Sequence, residues 1–469
     1  MISARGPILN EGVETDGRIT PGQSTAPAVP PTALRLEWVF LAFVIYSAFE
    51  GLLKRLTGYS LYIYPIKDLF FLVVLLHWAL LGRARATLGG PPYTLLLVSY
   101  IGLVAVQALN PHLPSVFMWL AGVRTSYMYA LLYFVAYQTF RTEGQVIRLA
   151  RCLGALAVIT ALGAMAESML GIEWVYRHKL QVFTSAIYLG ISGDWVIRPS
   201  SITAGPGAAA MIEYFGAITL VGLAVTSSRW LQRAVYLTGA GIALGGVLLS
   251  AVRVVWLQAA LAIVAFGFLG GALKFRRAVY LAISGTVAVG LSLFFSRGEI
   301  NARFQTVETP VGTYLSEPSA SQRYSGLMML PRIIADFPLG AGPGWNAPRQ
   351  DLLVPYRGQE MIEHSGVHNY LSVLALEVGV PGLIVFLVFS VAISQRGLRR
   401  LIRIGNAQRR PLLAVYYALF LSILISFLVG GAIIGWPGEY YWIFAAITIR
   451  MGQLSLEGES PGLGASRLT

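Results

Sequence analysis

The sequence predicts an all-α polytopic membrane protein of about twelve transmembrane helices. Three observations carry that prediction. The 469 residues are 56% hydrophobic and only 12% charged, with a mean hydropathy of +0.65, whereas soluble domains carry roughly a quarter charged residues. Apolar runs of spanning length recur at about residues 36–53, 61–81, 93–109, 115–140, 146–170, 205–226, 234–251, 253–273, 277–296, 368–393, 411–434 and 438–452. Five clusters of Arg and Lys lie after even-numbered runs.

That last pattern sets an orientation, because cytoplasmic loops carry the excess of basic residues. Arg83 and Arg85 follow the second run; Arg141, Arg148 and Arg151 surround the turn after the fourth. Arg229 and Arg233 follow the sixth, and Lys274, Arg276 and Arg277 the eighth. The densest group, Arg396, Arg399, Arg400, Arg403, Arg409 and Arg410, follows the tenth. Both termini are therefore expected in the cytoplasm and the segment 297–366 outside, in a multi-pass membrane protein. The same placement accounts for the net charge of +13 without nucleic acid as a partner. The lipid bilayer is the partner expected instead.

Taken in order, residues 1–34 are polar and rich in Pro, Gly, Ser and Thr, with no apolar core of a signal peptide before Leu36. They are expected to form a disordered cytoplasmic tail. Residues 35–296 hold helices one to nine, 297–366 a long outer loop, 367–452 helices ten to twelve, and 453–469 a second cytoplasmic tail. The single Cys152 lies in an apolar run, so neither a disulfide framework nor a cysteine metal site is expected. Within the outer loop, Ser321–Phe337 sets Leu327, Leu330, Ile333, Ile334 and Phe337 against Arg323, Arg332 and Asp336. This is the pattern of an amphipathic helix at the membrane surface, kinked or split at Pro331. Long outer loops of this kind are usually functional.

Charges inside spans are costly and face a cavity or a partner. Lys67, Asp68, Arg124, Glu167, Glu213 and Glu377 are of this kind, and buried structural pairs would account for each. Lys67 and Asp68 are adjacent, so they point to different faces and pair with other residues. Arg253 sits where the seventh run turns into the eighth with almost no linker, and Arg198 precedes the sixth run. Both fall at the outer mouth. Two guanidiniums there suit a phosphate or diphosphate, since each offers a planar fork of donors that stays charged; snorkelling to lipid head groups is the other use. His368 stands where the outer loop meets the tenth helix. An imidazole titrates near neutral pH and suits a general base, while a hydrogen-bonding role at the interface is the plainer one. The chain has no Asp-x-Asp, His-Glu-x-x-His or P-loop, so no metal site of familiar spacing and no nucleotide loop is expected.

These residues resemble a known family. His368-Asn369, nine residues, Gly379, two residues and Gly382 are similar to the His-[Asn/Ser/Gln]-x9-Gly-x-x-Gly motif of bacterial O-antigen ligases. Arg253-Val-Val-Trp-Leu257 resembles the family's Arg-x-x-x-Leu element. Gln322-Arg323 through Phe337-Pro338-Leu-Gly-Ala-Gly-Pro-Gly344 resembles its Arg…Pro-Leu-x-Gly-x-Gly stretch, and Arg198-Pro-Ser-Ser…Pro206 the segment before the corresponding helix. Pro206-Gly207 departs from the Pro-Asn common there. The resemblance covers roughly residues 195–392 by motif and the remainder by helix number and topology.

It implies a membrane glycosyltransferase of the GT-C-type fold, acting on the periplasmic face without metal or cofactor. Its donor would be an undecaprenyl-diphosphate-linked glycan and its acceptor lipid A–core or a growing glycan. By this resemblance His368 is the base that deprotonates the acceptor hydroxyl. Arg253 and Arg198 hold the diphosphate leaving group, with inversion at the anomeric carbon. Asn369, Trp256, Arg323 and Arg124 are supporting candidates. Ligases and O-antigen or exopolysaccharide polymerases share this chemistry and differ in acceptor. A lipid-glycan transporter is the reading from another class, set back by the lack of an internal repeat.

Overall fold

The computed structural model describes residues 31–58, 62–82, 90–178, 180, 187–189, 195–270, 326–345, 369–404, 409–427 and 436–457. The helices are α1 (Pro31–Leu56), α2 (Tyr64–Gly82), α3 (Thr94–Val106), α4 (Val116–Gly122), α5 (Leu132–Thr139), α6 (Glu143–Arg177) and α7 (Pro206–Thr226). They continue with α8 (Trp230–Leu249), α9 (Arg253–Leu269), α10 (Leu330–Asp336), α11 (Tyr370–Arg403), α12 (Arg409–Ser426) and α13 (Trp436–Glu457). Strands β1 (Ile187–Leu189) and β2 (Trp195–Ile197) pair antiparallel, with Ile187 opposite Ile197. Among the described residues, α1, α6, α7, α8, α11 and α12 are long and apolar enough to cross a membrane. Thr94–Leu109 and Val254–Leu269 are apolar but shorter.

Helix α7 is buried along most of its length. Small residues let it approach α6 closely, the usual device where no water drives helices together. A Cβ on Gly154 would meet the Leu220 side chain at 2.6 Å, and one on Gly216 the Leu153 carbonyl at 2.5 Å. Around α11 and α13 the packing is aromatic, with Tyr133 edge-on to Phe389 at 5.2 Å and Tyr441 edge-on to Trp442 at 4.9 Å.

Polar contacts sort to the two ends of the bundle. At one end Arg148 grips Glu37 through Nε (2.6 Å) and Nη2 (2.8 Å), Arg409 faces Glu143 at 3.3 Å, and Arg410 Nε donates to the Leu269 carbonyl (2.9 Å). At the other end lie the C-termini of α1 and α3, the N-termini of α2, α4, α11 and α13, and the segments 198–204 and 326–345. The contacts that join them run from Leu52 N to Ile202 O (2.7 Å), from Lys67 to Glu439, from Arg124 to Asp68 and from Ala341 N to Leu376 O (2.6 Å).

Several expected elements take a different form. The span 115–140 is not one helix but α4, a π-turn Val123–Tyr127, a 3₁₀ turn Met128–Leu131 and α5. Helix α1 begins at Pro31, inside the stretch assigned to the tail, and α13 runs on to Glu457, past the expected limit of 452. Gly171 leaves helical geometry (φ 77°) at the expected end of the fifth span, and a further turn continues to Arg177. The tenth helix continues to Arg403, so Arg396, Arg399, Arg400 and Arg403 lie on α11 rather than in a loop after it. Arginine is a good helix former; the apolar run ends at the membrane edge, but the helix does not. Pro331 sits in the first turn of α10, where its missing N–H costs nothing, so it starts a helix and splits the amphipathic stretch. The span 277–296, residues 1–30 of the tail and most of the loop 297–366 lie outside the described residues.

Candidate active site

The segment bearing Arg198 is held by a buried ion pair. Arg55, at the last turn of α1 and fully buried, donates from Nη1 to Glu167 Oε1 (2.7 Å) and to the Ser201 carbonyl (2.6 Å). Glu167 Oε2 accepts the backbone N–H of Ser200 (2.8 Å) and Ser201 (3.1 Å). Ser201 takes a left-handed conformation (φ 50°), and Leu52 N donates to the Ile202 carbonyl (2.7 Å). Arg198 is half-buried, two residues before this clamp and directly after β2. A Cβ at Gly207 meets nothing within 4 Å, so the departure from Pro-Asn leaves room for a side chain.

Arg253 is the first residue of α9. The turn before it is tight. Ser250 Oγ donates to Val247 O (2.6 Å) and accepts from Val252 N (3.3 Å), and Ala251 is left-handed at φ 52°. An alanine in that region is strained. Trp256 pins the turn, its indole N–H donating to the Val247 carbonyl (2.8 Å). Trp256 thus supports Arg253 by fixing the end of α8 against the start of α9.

Asn369 is buried and caps α11, its Oδ1 accepting from Leu371 N (3.0 Å) and Ser372 N (3.4 Å). This gives a physical reason for a small polar residue after the motif's histidine: it satisfies the first N–H groups of the helix. His368 and Arg323 lie outside the described residues. Ser372 Oγ donates to the Gly326 carbonyl (2.7 Å), which ties the first turn of α11 to the loop three residues after Arg323.

Gly379 and Pro381 break α11, and the glycine loop seats against the break. Gly379 leaves the helix (φ 73°, ψ −174°), and Pro381 would press on the carbonyl of Glu377 in an unbroken one. The carbonyls so released accept from the glycine loop: Ala341 N to Leu376 O (2.6 Å) and Gly342 N to Glu377 O (3.2 Å). Val380 N turns to the Pro338 carbonyl (2.9 Å). Gly340, Gly342 and Gly344 all have φ between 88° and 103°, a region glycine enters without cost. Gln107 and Asn110 reach the loop from the end of α3, donating to Leu339 O (2.5 Å) and Gly340 O (2.8 Å). We expect Gly379→Ala to lower the folded fraction recovered in detergent sharply, since its Cβ would overlap the backbone of Leu339 and Gly340 in a left-handed residue. Gly207→Ala, in the first turn of α7, should be recovered as well as the parent.

Arg124 lies in the π-turn and donates from Nε to Asp68 Oδ2 (2.6 Å). Lys67 turns the other way, to Glu439, with Glu50 at 3.8 Å and Lys54 also on Glu50 (2.7 Å). The adjacent pair thus serves two partners, as its register requires. Glu213 is fully buried against Gly246 and Ala161, and its carboxylate oxygens have no hydrogen-bond partner among the described residues. Among the described residues Arg198, Arg253 with Trp256, Arg124 and Asn369 are each held by a different support. Arg55, Tyr127, Ser372 and Glu439 are missed by sequence reasoning. Arg55 falls beyond the expected end of the first span, Tyr127 lies in mid-span where a tyrosine reads as packing, and Ser372 and Glu439 look like ordinary interfacial residues.

The arrangement is that of a polytopic helical membrane protein with Arg55, Lys67, Glu167, Glu377 and Glu439 buried toward the end where α11 breaks. Residues 238–387 match the family model described as O-antigen ligase. The match opens in α8, takes in α9 with Arg253 and the glycine loop, and ends in α11 beyond Gly382. This is the family that the motifs indicate, and the match covers 150 of the 469 residues. No curated protein matches the chain.

Proposed function

We propose that this protein is a membrane glycosyltransferase of the O-antigen ligase type. It transfers a glycan from an undecaprenyl-diphosphate-linked donor to lipid A–core on the periplasmic face. The observation that carries the reading is the O-antigen ligase match over 238–387, which spans both Arg253 and His368. The positions of Arg253 at the head of α9 and of Asn369 as the cap of α11 support it. The reading includes a GT-C-type fold of about twelve spans, with both termini cytoplasmic.

His368 takes the proton from an acceptor hydroxyl as its oxygen attacks the anomeric carbon. The bond to the diphosphate breaks on the opposite face, which inverts the centre. Arg253 and Arg198 stabilise the charge that gathers on the leaving diphosphate, where fixed donors in a low-dielectric site are worth most. The chemistry calls for neither metal nor cofactor. Arg253→Lys is expected to lower turnover about 10²-fold, because a point charge cannot replace the fork. Turnover equal to the parent's would assign Arg253 to lipid head groups instead.

The test is reconstitution in liposomes with an undecaprenyl-diphosphate glycan, with and without lipid A–core, in chelator. Product only with lipid A–core supports a ligase. A ladder of lengthening lipid-linked glycan without it makes the protein a polymerase. No product from native donors, with glycan-lipid translocated instead, makes it a transporter.

A further inference from the structure

Glu377 is a charged residue buried in the bundle, 1% exposed, near the C-terminal end of the outer part of α11. A carboxylate there opposes the helix dipole, and burial adds to the cost. Something must offset both. Its two oxygens accept from two different elements: Tyr127 O–H donates to Oε2 (2.6 Å) and Gly344 N–H to Oε1 (3.1 Å).

Tyr127 closes the π-turn that begins at Val123. Residues three apart on a regular α-helix share a face; in this wider turn Arg124 reaches Asp68 on α2 while Tyr127 reaches Glu377 on α11. Gly344 belongs to the glycine loop and packs directly on the Met118 carbonyl of α4. The carboxylate therefore joins α4's π-turn, the glycine loop and α11 at the base of a short helical piece, Tyr370 to Val378. The helix breaks at Gly379 just below it, so nothing in α11 itself fixes the tilt of that piece.

We propose that Glu377, through Tyr127 and Gly344, is the positioning residue that sets the direction of the outer piece of α11 and thereby aims His368. The inference rests on His368 being the base. The lever is long: from Tyr370 to Glu377 the helix rises about 10 Å, so a tilt of about 6° at the base moves its first residue by about 1 Å. A misplacement of that size can cost up to about 10²-fold in rate. Glu377 lies nine residues from His368 and acts by geometry, not by proton transfer.

The test uses the full chain in liposomes, with the undecaprenyl-diphosphate glycan and lipid A–core, or the donor alone should the parent polymerise it. Tyr127→Phe is isosteric and removes one hydrogen bond; Glu377→Gln keeps one acceptor oxygen. Each is expected to lower kcat per folded molecule by about tenfold, with donor KM within about twofold and the pH of half-maximal rate unchanged. The double variant should be no slower than the slower single one, because both remove the same junction. An unchanged kcat in both variants, with only the melting temperature lowered, would reduce the junction to a structural contact and overturn the inference. Loss of the acidic limb of the pH profile in Glu377→Gln would make Glu377 the proton acceptor and overturn it too. His368→Ala with normal kcat removes the base on which both readings rest, whereas His368→Ala inactive beside a normal Glu377→Gln and Tyr127→Phe overturns this inference alone.

Discussion

Replacing His368 by Ala is expected to cut glycan transfer by about 10²–10⁴-fold, the usual worth of a general base. The effect should fall on kcat, because the donor is held elsewhere. Folding should survive: the helix that follows is capped by Asn369 Oδ1, whose bonds to Leu371 N and Ser372 N do not involve residue 368. The measurement is single-turnover transfer from the lipid-linked donor, with Asn369→Ala beside it. The latter loses the cap, which costs about 1 kcal/mol of stability, and its kcat should fall only as far as the helix end frays. Transfer by His368→Ala within a few-fold of the parent would leave the imidazole an interfacial hydrogen-bonder.

The helical membrane class was legible because it rests on composition and run length, which the lipid environment dictates directly. The grouping of basic residues was legible for the same reason: Arg148, Arg409 and Arg410 make their contacts at one end of the bundle. The break in the fourth span was not. Val116–Thr139 is mostly apolar and holds no proline, and Gly122 before the π-turn is an ordinary residue for a membrane helix; the cause of the break is tertiary, since Arg124 and Tyr127 are drawn to different neighbours. The span 368–393 was expected unbroken, with Gly379 read only as a motif position, and a motif spacing says nothing of what fills the break that Gly379 and Pro381 make in α11. That depends on the glycine loop some 35 residues upstream. Arg55 was hidden for a simpler reason: a charge at the edge of an apolar run reads as the end of the helix, whereas here the helix continues and buries it.

Removing that burial's counter-charge should produce the largest loss of stability in the protein. Glu167→Ala leaves Arg55, 0% exposed, without its carboxylate, and strands the N–H groups of Ser200 and Ser201. Breaking a buried pair from one side costs about 3–5 kcal/mol, and each orphaned amide about 1–3 kcal/mol more. This variant is expected to fail to accumulate as folded protein. Arg55→Leu with Glu167→Leu removes both charges at similar volume, and should recover much of the melting temperature, as apolar replacements of buried pairs do. It cannot restore the acceptor for Ser200 and Ser201, so the segment that carries Arg198 keeps the bond from Leu52 N to the Ile202 carbonyl but loses the two that hold Ser200 and Ser201. The double variant is therefore expected to be folded yet to show a donor KM raised about tenfold, a cost of about 1.4 kcal/mol in binding. Stability and donor affinity thereby separate at one site. A double variant with parental KM would show that Arg198 is aimed by something other than this clamp. A Glu167→Ala protein that melts with the parent would mean that the ion pair contributes little to holding α1 on α6.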